Sequence, residues 1–142
     1  MVKRTIWYLL LIFAFSLPAA FAQGTATLAE ISPERAAVLK ALRVPVSKEL
    51  KQHITFLTEK VNVQGNWAFV AAQAKNAKGG EPNWQLTRYQ KFIDNNDFED
   101  NLFALLKKTK GNWRVVTYRM NCHDVCYLDW DKRYKAPKAI IE

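Results

Sequence analysis

Cysteine is scarce in this chain: Cys122 and Cys126 are the only two in 142 residues, so a single intramolecular bridge is the most it can form. Histidine is equally rare, with only His53 and His123. There is no Gly-x-Ser-x-Gly elbow, no His-Glu-x-x-His and no glycine loop of the kind that cradles phosphate. The familiar motif-bearing hydrolase and nucleotide sites are therefore missing. Glycine and proline are modest, five of each, against 49% hydrophobic and 24% charged residues. That balance supplies a core and argues against a disordered chain. No second long apolar run follows Leu17, so no membrane span is expected once the leader is removed.

The leader itself is legible. Lys3 and Arg4 form a positive start, residues 6–17 an apolar stretch, and Pro18 breaks it before Ala20-Phe21-Ala22. This is the pattern of a secretory signal peptide over residues 1–22, with cleavage expected before Gln23. No cysteine follows the site, which argues against a lipid anchor. The mature chain is expected to be periplasmic or secreted: residues 23–31 as a flexible lead-in, residues 32–142 as one α+β domain. The whole chain has net charge +8. Without Lys3 and Arg4 it keeps 19 basic and 13 acidic residues, a net +6. The basic residues are scattered and form no compact arm, so nucleic acid is a poor partner for an exported protein. An anionic envelope component or another protein fits better.

What the mature sequence does have is a device used twice. Gly65-Asn66-Trp67 opens Ala68-Phe69-Val70, and Gly111-Asn112-Trp113 opens Arg114-Val115-Val116. Each reads as a tight turn followed by a strand, and each follows a strand-like run. Two β-hairpins are expected, with Gly65 and Gly111 as turn residues and Trp67, Trp113 and Trp130 as core. Over Ile54–Val63 the alternation places Ile54 and Phe56 on one face and Leu57, Val61 and Val63 on the other. Ser32-Pro33-Glu34 is a strong helix start, and the helix is expected to run from Pro33 to Arg43, where Pro45 stops it, with Ser47-Lys48-Glu49-Leu50 as the start of one further short turn. Residues 75–101 give no clear pattern. Asp94, Asn96 and Phe98 have the spacing of a calcium loop's start, but its glycine and final glutamate are replaced by Glu99 and Leu105.

In the tail, Tyr127, Trp130 and Tyr134 recur at helical spacing, with Asp124 as a candidate cap. Cys122 and Cys126 are read first as a disulfide, as an oxidising compartment favours. So small a ring contributes roughly 2 kcal/mol by loop entropy. The alternative is a copper or zinc site of Cys122, His123 and Cys126, with His53 as the other candidate imidazole, or reversible thiol chemistry at the two cysteines. The Cys-x-x-x-Cys spacing with Asp124-Val125 resembles the copper-chaperone motif of the Sco family, which implies metal delivery. In that family, however, the motif stands early in a thioredoxin-like domain.

Four stretches carry a broader resemblance: Arg35 to Arg43, Gly65 to Val70, Ala104 to Val116 and Asp124 to Pro137. Through them the chain resembles small α+β domains of the cystatin/nuclear-transport-factor-2-like type and, more closely, a group of secreted bacterial proteins. The resemblance implies a helix packed on a bent antiparallel sheet and brings no catalytic residues. The leading expectation is a non-enzymatic binding or accessory module of the cell envelope with no cofactor. The alternatives are a small pocket enzyme of the transport-factor-2-like class and the copper or thiol protein.

The exported chain should begin at Gln23, with Cys122 and Cys126 resisting alkylation until reduced. Intact mass with and without alkylation reads both. A retained Lys3-Arg4 start contradicts the leader, and free thiols contradict the bridge.

Overall fold

The computed structural model describes residues 24–29 and 31–142. The expected leader and its cleavage site lie outside them. Helix α1 spans Pro33–Leu50. The Ser32 hydroxyl accepts from the Arg35 amide at 3.1 Å, and Pro33 and Glu34 occupy the first turn, as a helix start requires. Pro45 does not stop the helix. A proline inside a helix removes one backbone hydrogen bond and costs roughly 3 kcal/mol. The buried stripe, however, is Val38, Leu42, Val46 and Leu50, and half of it lies beyond Pro45. Burying each such side chain stabilises by about 1.5–3 kcal/mol, so continuing the helix outweighs the lost bond. Lys51 then closes it in the left-handed conformation, φ 57°.

Five antiparallel strands follow one another in sheet order: β1 Ala26–Thr27, β2 Ile54–Gln64, β3 Trp67–Asn76, β4 Leu102–Thr109 and β5 Asn112–Met120. The sheet is open, and with α1 packed on it the fold is α+β, as expected. Within the stretch expected as a lead-in, Ala26 and Thr27 pair with Val63 and Asn62, and Leu28 packs against the core. Strand β2 departs from simple alternation. Its register jumps from Thr58↔Ala72 to Lys60↔Ala71, leaving Glu59 as a bulge. The extra residue reverses the parity, so Val61 and Val63 join Ile54 and Phe56 on the α1 side. A single alternation along the strand could not have shown this.

Both hairpins form, but their turns are out of phase. In the first, Gln64 pairs with Trp67 and the turn is Gly65-Asn66, with Gly65 at φ 56°. In the second, Thr109 pairs with Asn112 and the turn is Lys110-Gly111, at φ 51° and 79°. The positive φ values explain the glycines. The shift sends the two tryptophans to opposite faces. Trp113 joins the α1 core, and Trp67 lies with the aromatic side chains of the other face.

Strands β3 and β4 are apolar on both faces. Ala68, Val70, Ala72, Leu102, Ala104 and Leu106 meet α1. Phe69, Ala71 and Leu105 meet the C-terminal tail. The tail holds α3, Trp130–Tyr134, and a single 3₁₀ turn at Lys138–Ile140. Asp124 does not cap α3, which begins after Asp129. The aromatic series still serves packing. Tyr127 lies 4.4 Å from Phe103 and 5.3 Å from Phe69 between ring centroids, and Trp130 is buried against Phe69. Residues 75–101 resolve into a loop built on Asn76, whose side-chain oxygen accepts from the Lys78 and Gly80 amides. They continue through a 3₁₀ turn Trp84–Leu86 and helix α2 Gln90–Asp94. Trp84, Tyr89 and Phe98 pack together there.

Replacing Pro45 by Ala restores an interior helix bond and should raise stability by about 1–3 kcal/mol. Leu42→Ala should lower it by about 2–5 kcal/mol. Urea midpoints measure both. Loss of stability in Pro45→Ala would mean that the proline ring itself is packed to advantage.

Candidate functional site

Polar side chains gather in three places. The first is the C-terminal end of α1. Glu49 accepts from the Tyr89 hydroxyl at 2.7 Å, from the Tyr118 hydroxyl, and from the Arg88 guanidinium at 2.8 Å. Tyr118 comes from β5, and Arg88 and Tyr89 from the segment before α2. A cavity of about 250 Å³ is lined by these four residues with Arg119 and Met120. Burial alone would raise the Glu49 value. The hydrogen bonds from Tyr118 and Tyr89 and the charge of Arg88 outweigh it and hold the carboxyl below its usual range. Burial, and then the hydrogen bond to Glu49, push Tyr89 up to about 12 and raise Tyr118 as well. An ionised carboxylate this stable is a weak base, and phenols this high are donors only. The arrangement suits holding three elements together rather than moving a proton. Glu49 stands beyond Pro45, where the sequence predicts a separate short turn rather than the last turn of α1. The signal was present, since Val46 and Leu50 continue the four-residue spacing of Val38 and Leu42.

The second place is the corner between β5 and the tail. Cys122 and Cys126 have sulfurs 2.09 Å apart, at disulfide distance. Asn101 grips the corner from both sides. Its Oδ1 accepts from the Cys122 amide at 2.8 Å, and its Nδ2 donates to the Cys122 carbonyl at 2.9 Å. Asn121 in turn accepts from the Glu99 amide at 2.7 Å. His123 points to Asp97, 3.8 Å away and weakly placed. With the sulfurs joined, a metal site of Cys122, His123 and Cys126 would first require reduction. Among the described residues no group of three or more His, Cys, Asp or Glu side chains is placed to hold a metal ion.

The third place is the turn end of the sheet, on the face away from α1. Cross-strand partners share a face, and Gln64, Trp67, Lys107 and Arg114 are successive partners across β2, β3, β4 and β5. The Lys107 ammonium lies 4.8 Å from the centre of the Trp67 ring. Gly65, Asn66, Trp67, Lys107 and Pro137 line an open groove of about 440 Å³. Of the residues singled out in the sequence, Trp113 and Trp130 are buried, Gly65 and Gly111 make the turns, and Trp67 is only half-buried.

Charge is sorted between these places. Glu34 of α1 accepts from the Trp113 indole at 2.8 Å and from Lys108 at 2.9 Å, and Glu49 faces the tyrosines. Both glutamates of α1 are thus tied toward the sheet. Lys40, Lys48 and Lys51 stay exposed with no acidic partner among the described residues. Comparison with protein-family models, with curated proteins and with solved structures finds no match to this chain.

Because Glu49 is held low, its contribution is complete above the ordinary value near 4.5 and is lost as pH falls through the lower folded value. Glu49→Gln should cost about 1–3 kcal/mol at pH 7. The gap to wild type should close as pH falls below 4.5. Urea midpoints across that window check this, and a gap independent of pH would remove the carboxylate from the account.

Proposed function

We propose that this chain is an exported, non-enzymatic binding or accessory protein of the bacterial cell envelope whose partner is an anionic envelope component. The sorting of charge carries this reading. The glutamates of α1 are consumed by contacts to the sheet and its neighbouring segment, while exposed lysines on the helix and Lys107 and Arg114 at the hairpin end have no acidic partner among the described residues. A surface with unbalanced positive charge attracts anions over a range set by salt. A bridge between Cys122 and Cys126 is compatible with export. The succession of one helix and a four-strand meander supports the cystatin-like resemblance as a proposal. The chemistry of Glu49 favours binding over the pocket-enzyme alternative, since its carboxylate is already saturated by donors.

The mature protein should bind acidic envelope polysaccharide at low salt, and binding should weaken steeply as salt rises. Neutral dextran should not be retained. Co-sedimentation at several salt concentrations measures this. Retention that ignores salt, or equal retention on dextran, would overturn the reading.

A further inference from the structure

We infer that the half-buried Trp67, with Lys107 and Asn66 beside it and Arg114 one strand beyond Lys107, forms a subsite for an acidic saccharide: a sugar ring carrying a carboxylate or a phosphate. The inference rests on the binding role proposed above and assigns it a place and a ligand class.

Three features of the rung point this way. Lys107 and Arg114 are direct cross-strand partners on β4 and β5, and both are exposed. Like charges opposite one another destabilise a sheet. Neither has an acidic partner among the described residues; Glu34 is occupied by their neighbours Lys108 and Trp113 on the other face. Folding therefore gains nothing from this pair, while an incoming anion gains two cations. The guanidinium offers a planar fork that matches a carboxylate or phosphate, and the ammonium adds a mobile point charge.

The second feature is Trp67. The next rung along the same face is Asn62, Phe69, Leu105 and Thr117, and the one beyond is Lys60, Ala71, Phe103 and Arg119. The tail engages both. Asn62 donates to the Ile140 carbonyl at 3.1 Å, Lys60 reaches the Glu142 carbonyl at 3.0 Å, and Tyr127 packs on Phe69 and Phe103. At the Trp67 rung the tail supplies Pro137 as one wall of the groove. An indole at the lip of a groove presents a flat apolar plate, suited to the C–H face of a pyranose ring. In the present arrangement the Lys107 ammonium rests over that ring. It moves to the anion when one arrives and frees the ring for the sugar.

The third feature is the turn. Asn66 is exposed beside the groove, and its side-chain amide offers both a donor and acceptor for hydroxyls. A groove of about 440 Å³ has room for a short saccharide. A flat anion without a ring would use the cations and leave Trp67 idle, which is why a saccharide is favoured over an acidic peptide.

The test is equilibrium binding of the mature protein to alginate fragments, which carry carboxylates, and to phosphomannan fragments, which carry phosphates. Polyglutamate and dextran are the controls. Wild type should bind one or both acidic saccharides at least about tenfold more tightly than polyglutamate. The arm that binds names the anionic group. The double variant Lys107→Gln/Arg114→Gln should lose about tenfold or more in saccharide affinity, while its thermal midpoint stays level or rises as the repulsion is relieved. Trp67→Leu should weaken saccharide binding and leave polyglutamate binding unchanged. If saccharide binding survives in the double variant and is lost instead in Lys40→Gln/Lys48→Gln/Lys51→Gln, the subsite is wrong and the anionic-partner reading stands. Equal affinity for polyglutamate overturns the saccharide class. Failure of wild type to bind any anionic polymer overturns both.

Discussion

Everything in this molecule follows from a sheet whose central strands are apolar on both faces. A strand such as β3, buried from Ala68 to Ala72, cannot leave either side to water. The chain must supply two covers, and it supplies them from its two ends. On one face, α1 lays Val38, Leu42, Val46 and Leu50 across the strands. On the other, the tail brings Tyr127, Trp130 and Ile140 to Phe69, Phe103 and Leu105. The covers differ in kind. An 18-residue helix carries its own backbone hydrogen bonds. The tail has only a five-residue helix and single turns, so it depends on anchors: the Asn101 grip at Cys122, the bond from Asn62 to Ile140 and the aromatic contacts.

The fold class and both hairpins were legible because turn chemistry is local. Gly65 and Gly111 stand where the backbone needs positive φ. The features that escaped were decided by distant partners. Pro45 is a helix breaker by itself, and only the demand of the sheet for Val46 and Leu50 carries α1 past it. The bulge at Glu59 leaves no mark in composition, yet it brings Val61 and Val63 to the same helix side as Ile54 and Phe56. The Glu49 cluster escaped for the same reason, since three separate segments bring its members together. Residues 75–101 gave no period because they are a cap over the end of the core, where a few aromatic contacts replace a repeating face.

Acidic side chains show how packing leaves the outer side of α1 basic. Glu34 and Glu49 sit near opposite ends of α1, and each fixes its end to the sheet. One does so through the Trp113 indole and Lys108, the other through two tyrosines and Arg88. Each is a carboxylate accepting several donors in a partly dry setting, where such bonds are worth more than on an open surface. The structural use of acid is also what strips acid from the outside of the helix. Stability and surface potential are coupled in this chain, and a change that frees either glutamate alters both.

The two Gly-Asn-Trp copies make the same point at the scale of one residue. In the first the strand begins at the tryptophan, and in the second it begins at the asparagine. A shift of one position reverses the face of every side chain that follows. Trp113 is therefore turned inward, where its indole N–H satisfies Glu34. Trp67 is turned to the other face, half-open, beside cations that no acid answers among the described residues. Identical triplets thus give one residue to the core and one to the groove. The phase of the turn, rather than the identity of the motif, decides which tryptophan can meet a ligand.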